Sequence, residues 1–159
     1  MLQEKSEDII ENPEELRRIL KTGRYTTLAL TDGNDPYVLT MNYGLDPEDD
    51  ILYFHTSRTG SKLDFLKSNP YICGTVILEG ALLPGSCSRS YRSVVFYGLM
   101  DVIHRENEKI HAMNCLIEQQ AAEPEALKER YASQPDYFSD RLVMKLTIDE
   151  ISGKKNPAA

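Results

Sequence analysis

The chain has 159 residues, 41% of them hydrophobic and 27% charged, with a formal net charge of −7. This composition suits a globular protein with its own core, and the acidity argues against a surface built to attract nucleic-acid phosphates. No apolar run is long enough to cross a bilayer, and the acidic opening MLQEKSEDIIENPEELRR lacks a secretory apolar stretch, so a cytoplasmic protein with no membrane or nucleic-acid partner is expected.

The first predicted element is a helix. Asn12 can cap it, Pro13 fits its first turn, and Glu14 and Glu15 suit the positive end of its dipole. Leu16, Ile19 and Leu20 give it one apolar stripe, and Gly23 ends it. Strands are then expected at 25–31, 37–43 and 51–56, separated by turns at 32–36 and 44–50, and read as an antiparallel meander. A short helix follows Gly60 and stops at Asn69-Pro70, because the residue before proline avoids helical angles. A strand at 71–79, a loop at 80–90 and a long strand from Tyr91 to about His104 come next. Gly98, in the middle of that strand, predicts a bulge or a close backbone approach. Helices are expected at 105–121 and within 123–134, then a last alternating strand at 141–151. The tail, from about 153 to 159, is expected to be mobile. One domain over 1–159 is expected, mainly β with some helix: about six strands in a small antiparallel barrel with peripheral helices, since closure removes exposed strand edges.

Most remaining polar residues have plain readings. Cys73, Cys87 and Cys115 are scattered and odd in number, which points to reduced thiols; Cys73 reads as core and Cys87 as a loop residue. The acidic groups at 46–50 and 123–129 read as solvated surface. Arg92 reads as an ion-pair partner, with a phosphate or carboxylate contact as the alternative. His104 and His111 are read without cysteines or carboxylates at zinc-ligand spacing, so no metal site is expected.

The stretch YFHTSRTGSKLDFLKSNP, from Tyr53 to Pro70, is different. A strand ending in small polar residues and running into a helix makes an anion site, because free N–H groups at the helix start point outward and its dipole favours negative charge. Thr56, Ser57 and Ser61 add hydroxyls, Lys62 adds a full positive charge, and Gly60 lets a ligand approach the backbone. A phosphate satisfies all of these donors; helix capping by the same hydroxyls is the competing reading. A nucleoside-triphosphate loop is excluded, because Leu63 stands where the hydroxyl residue after the lysine should be. His55 is open to three readings: a contact to phosphate or ring, a haem or metal ligand, or a strand-end histidine bonded to a neighbour.

Four segments, PYVLTMNYGLD, ILYFHTSRTGSKLDFLKSNPYICGTV, YRSVVFYGLMDVIHRENEK and RLVMKLTIDEISGK, occur in an order that resembles the pyridoxamine 5′-phosphate oxidase-like family, nearest its nitroimidazole-resistance branch. The resemblance spans residues 24 to 154. It implies a six-stranded antiparallel split β-barrel that binds FMN as a homodimer, with flavin at the subunit interface. It implies that Ser61 and Lys62 contact the phosphate and that His55 and Thr56 are the family's pair at the end of the preceding strand; Ser57 joins the candidate cofactor-binding residues through its hydroxyl at the same corner. By the same resemblance Thr40, Met41, Asn42 and Tyr43 lie along the isoalloxazine ring, largely through main-chain groups, and Ser93 reaches the flavin across the dimer.

The substrate site of the true oxidases is not expected to carry over. Those enzymes place an arginine and a lysine at the ends of the ring-lining strand, where Val38 and Tyr43 stand here, and use a C-terminal tryptophan in a chain that has none. The resemblance therefore implies an FMN-dependent oxidoreductase with a small-molecule electron donor and acceptor, reducing small electrophiles such as nitroaromatics. A non-catalytic FMN- or haem-binding protein of the same fold is the alternative. No catalytic residue is assigned, since the flavin itself would carry the redox chemistry.

Overall fold

A computed structural model of the chain describes residues 8–134, 136 and 139–156. In chain order the elements are β1 (Ile9–Ile10), α1 (Pro13–Thr22), β2 (Tyr25–Thr31), β3 (Pro36–Asn42), β4 (Gly44–Leu45), β5 (Ile51–Ser57), α2 (Ser61–Ser68), β6 (Tyr71–Leu82), β7 (Arg89–Val102), α3 (Glu106–Gln120), α4 (Pro124–Ala132) and β8 (Arg141–Lys155). The architecture is mainly β. One antiparallel sheet runs in the order β3-β2-β6-β7-β8-β5-β4, with β1 added on β8.

The helix start is as predicted. The Asn12 side chain accepts from Glu14 N at 2.9 Å and Glu15 N at 3.4 Å, with Pro13 in the first turn. Leu16, Ile19 and Leu20 bury the apolar stripe in the main core, which lies between α1 and the inner faces of the strands. Gly23 ends the helix in extended backbone, so the left-handed cap does not form. Glycine is needed there for space: a Cβ would collide with the Tyr43 hydroxyl and Val76.

The six expected strands are all present, as β2, β3, β5, β6, β7 and β8, and the two-residue β1 and β4 add to them. Two expectations need correction. The strand expected at 51–56 does not continue a meander; β5 pairs with β8 and β4, while β3 pairs with β2 alone. The last strand does not stop at Ile151. It continues to Lys155, paired with β7 on one side and, at Gly153 and Lys154, with β1 on the other, so the start of the expected tail is built into the sheet. Pro157–Ala159 lie outside the described residues. The irregularity expected at Gly98 is present, as a register shift against β8 between Tyr97 and Gly98.

Buried positions show which faces are covered. In β2 the inward residues Thr26, Leu28 and Leu30 alternate with more exposed ones, as a strand with one wet face requires. In β5 three consecutive residues, Leu52, Tyr53 and Phe54, are buried. Leu52 and Phe54 join the main core, whereas Tyr53 faces a second cluster under α3 with Met113, Leu116 and Val143. β5 is therefore covered on both sides.

The two ends of the sheet, β3 and β4, are separated in the chain by one residue, Tyr43. No ladder joins them, so the sheet is split there and Tyr43 is its covalent bridge. Tyr43 is fully buried, and its hydroxyl donates to the carbonyl of Leu20 at the end of α1. Two glutamines from the end of α3 secure the same place. Gln119 Nε2 donates to the carbonyls of Leu20, Lys21 and Gly23 at 2.7–3.0 Å, and its Oε1 accepts from Leu45 N at 3.1 Å. Gln120 Nε2 donates to Tyr43 O at 2.8 Å and Arg24 O at 2.9 Å. These contacts satisfy backbone groups that neither a helix nor a ladder can satisfy at a split. Gln119→Ala is expected to lower the unfolding free energy by about 1–3 kcal/mol through unpaired buried groups. Urea denaturation measures this, and a change below about 0.5 kcal/mol, typical of an inconsequential surface substitution, would contradict it.

Candidate functional site

The donor-rich corner is where β5 hands over to α2. Gly60 has φ +132°, in the region that L side chains rarely enter, and this turns the chain into the helix. No side chain caps α2. Thr56 is buried, and the Ser57 hydroxyl donates instead to Thr59 O at 2.9 Å. The capping reading of these hydroxyls therefore fails: no side chain accepts from the first N–H groups of α2, while Leu63 N bonds back to Gly60 O at 3.1 Å. Lys62 folds back over this turn: its Nζ lies 3.6 Å from the point a Cβ on Gly60 would occupy. A full positive charge thus stands beside the positive end of a helix dipole. The helix itself is fixed by Leu63, Phe65 and Leu66 against the main core and by a Phe65–Tyr37 stack with ring centroids 4.9 Å apart.

Arg58 lies in the same loop but faces elsewhere. Its Nε and Nη2 both donate to Ser139 O, at 3.2 and 2.7 Å. Arg92 is in an ion pair with Glu15 at 3.2 Å, as read from sequence.

His55 lies two residues before Ser57 on β5 and is half-buried. Its Nδ1 accepts from Arg141 Nη1 at 3.1 Å, a partner on β8 opposite Ser57 in the ladder. Burial, and then the guanidinium charge, push the imidazole below its ordinary value of 6.5, which favours the neutral ring. His55 and Asn42 line one cavity of about 420 Å³, together with Tyr25, Gln120 and apolar residues of α3 and α4. A volume of that order falls in the range of small-molecule sites. The split barrel thus brings the end of β3 and the end of β5 to a common space although they are far apart in the sheet order.

The other anticipated residues are distributed by strand alternation. Thr40 is exposed, with its hydroxyl 3.3 Å from that of Thr27; Met41 packs against the core; Asn42 donates to Gln120 Oε1 at 3.1 Å; Tyr43 forms the bridge. Ser61 is exposed at the first position of α2. Ser93 is remote from the corner within one chain. It sits opposite Lys154, whereas Ser57 sits opposite Arg141, and the thirteen residue steps between these positions of β8 make about 40 Å of strand. Arg141 and Gln120 were not anticipated. Nothing in their local sequence separates them from surface residues, since their partners are 86 and 78 residues away.

A family model described as pyridoxamine 5′-phosphate oxidase matches residues 12–155. The chain belongs to this family. Among solved structures, a candidate 5-nitroimidazole antibiotic resistance protein from Bacteroides thetaiotaomicron is 26% identical, covers 92% of this chain and 86% of its own, and superposes with a TM-score of 0.73. Two others share the fold at lower identity. An FAD and heme binding protein from Mycobacterium smegmatis is 22% identical over 94% of this chain and 74% of that one, with a TM-score of 0.75. An FAD-binding protein from Mesorhizobium loti is 20% identical over 91% and 95%, with a TM-score of 0.65. No curated protein matches the sequence significantly.

The neutral histidine has a measurable consequence. Its folded-state value lies below 6.5, so the unfolded chain takes up the proton more readily. The stability it confers is fully present above about pH 6.5 and declines as pH falls below that value. His55→Gln is expected to flatten the pH dependence of unfolding free energy between about pH 7.5 and about pH 5.5, read by urea titration. Equal slopes in the two proteins would show that the ring is not held neutral.

Proposed function

We propose that this chain is an FMN-binding flavoprotein, working as a homodimer and reducing small electrophiles such as nitroaromatics with a small-molecule electron donor. The observation that carries the reading is the uncapped start of α2, with Gly60 at φ +132° and the Lys62 ammonium folded over it. Such a corner suits a phosphate: outward N–H groups, a helix dipole and one full charge act on the same point. Ser61 and Lys62 would hold the phosphate of FMN. Thr40, Met41, Asn42 and Tyr43 would flank its ring, with His55, Thr56 and Ser57 between the two ends. FMN supplies hydride and electron transfer when bound; the chain supplies binding, orientation and control of water.

FMN is favoured over FAD by charge. One helix start and one lysine match a single phosphate, and the nearby Arg58 guanidinium is engaged by Ser139. The family membership and the flavin-binding relatives support a flavin, and the Bacteroides relative supports the nitroaromatic class.

The dimer reading is supported by an apolar outer face on β3, β6 and β7. Val38 is 63% exposed and Ile77 61% exposed, and Val95, Tyr97 and Leu99 continue the patch along β7. A contiguous apolar face of this kind marks an interaction surface. Ser93 lies on the same outward side, opposite Ile77, where a second copy would bring it toward that copy's flavin.

The test is a titration of the purified protein with FMN, FAD and riboflavin, followed by flavin fluorescence. Lys62→Ala is expected to weaken FMN about 10- to 100-fold, the loss of one charge-assisted contact, while leaving riboflavin unchanged. Unchanged FMN affinity would rule out the phosphate role. NADH or NADPH and then a nitroaromatic acceptor, added anaerobically to the flavin-loaded protein, test the reaction: bleaching and recovery of the flavin spectrum support it. Failure of every donor, or a haem Soret band in the protein as isolated, would favour the non-catalytic alternative.

A further inference from the structure

The loop after β4 and the outer side of α3 form a second polar centre, separate from the flavin corner. Asp46 was read as solvated surface, but it is only 5% exposed. Its Oδ1 accepts from Glu48 N and Asp49 N, both at 2.9 Å, and its Oδ2 accepts from the Tyr53 hydroxyl at 3.0 Å. Oδ2 also lies 2.7 Å from His111 Nε2, and that same nitrogen is 3.6 Å from Cys115 Sγ. His111 and Cys115 are four residues apart on α3, which places them on one face of the helix.

Both Oδ2 and Sγ face the same ring nitrogen. A nucleophilic thiol activated by histidine and carboxylate needs them on opposite nitrogens, so this is not a catalytic triad. Convergence of an oxygen, a nitrogen and a sulfur on one point is instead the arrangement of a metal site. The three donor atoms all lie within 4.8 Å of one another, and in a tetrahedral zinc site they would stand about 3.4 Å apart. Small side-chain movements would close that difference.

We infer that Asp46, His111 and Cys115 form a binding site for a borderline divalent cation of the zinc type. The mixed donor set favours zinc or cobalt over magnesium or calcium, which take oxygen ligands. Asp46 is pre-oriented as a one-oxygen ligand, because two backbone N–H groups occupy Oδ1 and Tyr53 steers Oδ2. Three protein ligands leave a fourth position, and the site opens on a cavity of about 550 Å³ whose wall includes Lys21 and Arg24. The sequence-based expectation of no metal site at His111 passes over Cys115 one helical turn further on, and Asp46 lies 65 residues away.

Cobalt is the probe, added to the full chain carrying Cys73→Ser and Cys87→Ser so that Cys115 is its only thiol. One cobalt per chain is expected, with tetrahedral ligand-field bands, thiolate-to-cobalt charge-transfer absorption and displacement by zinc. Cys115→Ser on this background should abolish the charge transfer, and Tyr53→Phe should weaken binding about 10-fold. Absence of stoichiometric binding, or binding without the thiolate band, would overturn the site. So would a Cys115→Ser protein that gives the same spectrum. Should a variant fail to fold, a cobalt titration of the unsubstituted chain replaces it, and absence of one tightly bound, zinc-displaceable cobalt per chain there also overturns the site.

Discussion

Tyr43 is the constraint on which the rest depends. Strands adjacent in the chain occupy opposite ends of the sheet, and this one residue must bridge them without a ladder. A split of this kind strands backbone donors and acceptors in a buried place, which costs free energy unless side chains replace the missing partners. Gln119, Gln120 and the Tyr43 hydroxyl do so, and they tie α1, α3 and both sheet ends to one point. Closure by side chains explains how Asn42 and His55 share a cavity although their strands are not paired.

The proposed flavin corner uses a different physical device. There no side chain caps the backbone donors of α2; Gly60 adopts a turn that other residues rarely enter, and Lys62 Nζ lies beside it. The contrast with α1 is informative. Asn12 satisfies the start of α1 internally, as a structural helix requires, whereas α2 keeps its start open to an anion. A second contrast concerns charge: Arg92 and Arg58 are committed to partners within the chain, and Lys62 faces the uncapped turn.

What could be read from sequence was local. The cap of α1, the strand at 25–31, the irregularity at Gly98 and the strand-to-helix turn at 57–62 follow from neighbouring residues, and all are in the structure. What could not be read depended on distant pairing. Three strands in succession look like a meander, yet β5 joins β8 because Leu52 and Phe54 need one core and Tyr53 another. The SGKK stretch looks like a tail, yet the absence of a side chain at Gly153 lets Ile10 and Leu16 pack against it. Arg141 beside His55 and Asp46 beside His111 belong to the same class: each has its partner far along the chain.

The most direct test of the central claim is a crystal structure of the protein grown with saturating FMN. The account predicts the phosphate at the start of α2, within hydrogen-bond distance of the Ser61 and Lys62 backbone N–H groups and of Lys62 Nζ. An ordered flavin whose phosphate lies elsewhere, with Lys62 turned into solvent, would contradict it.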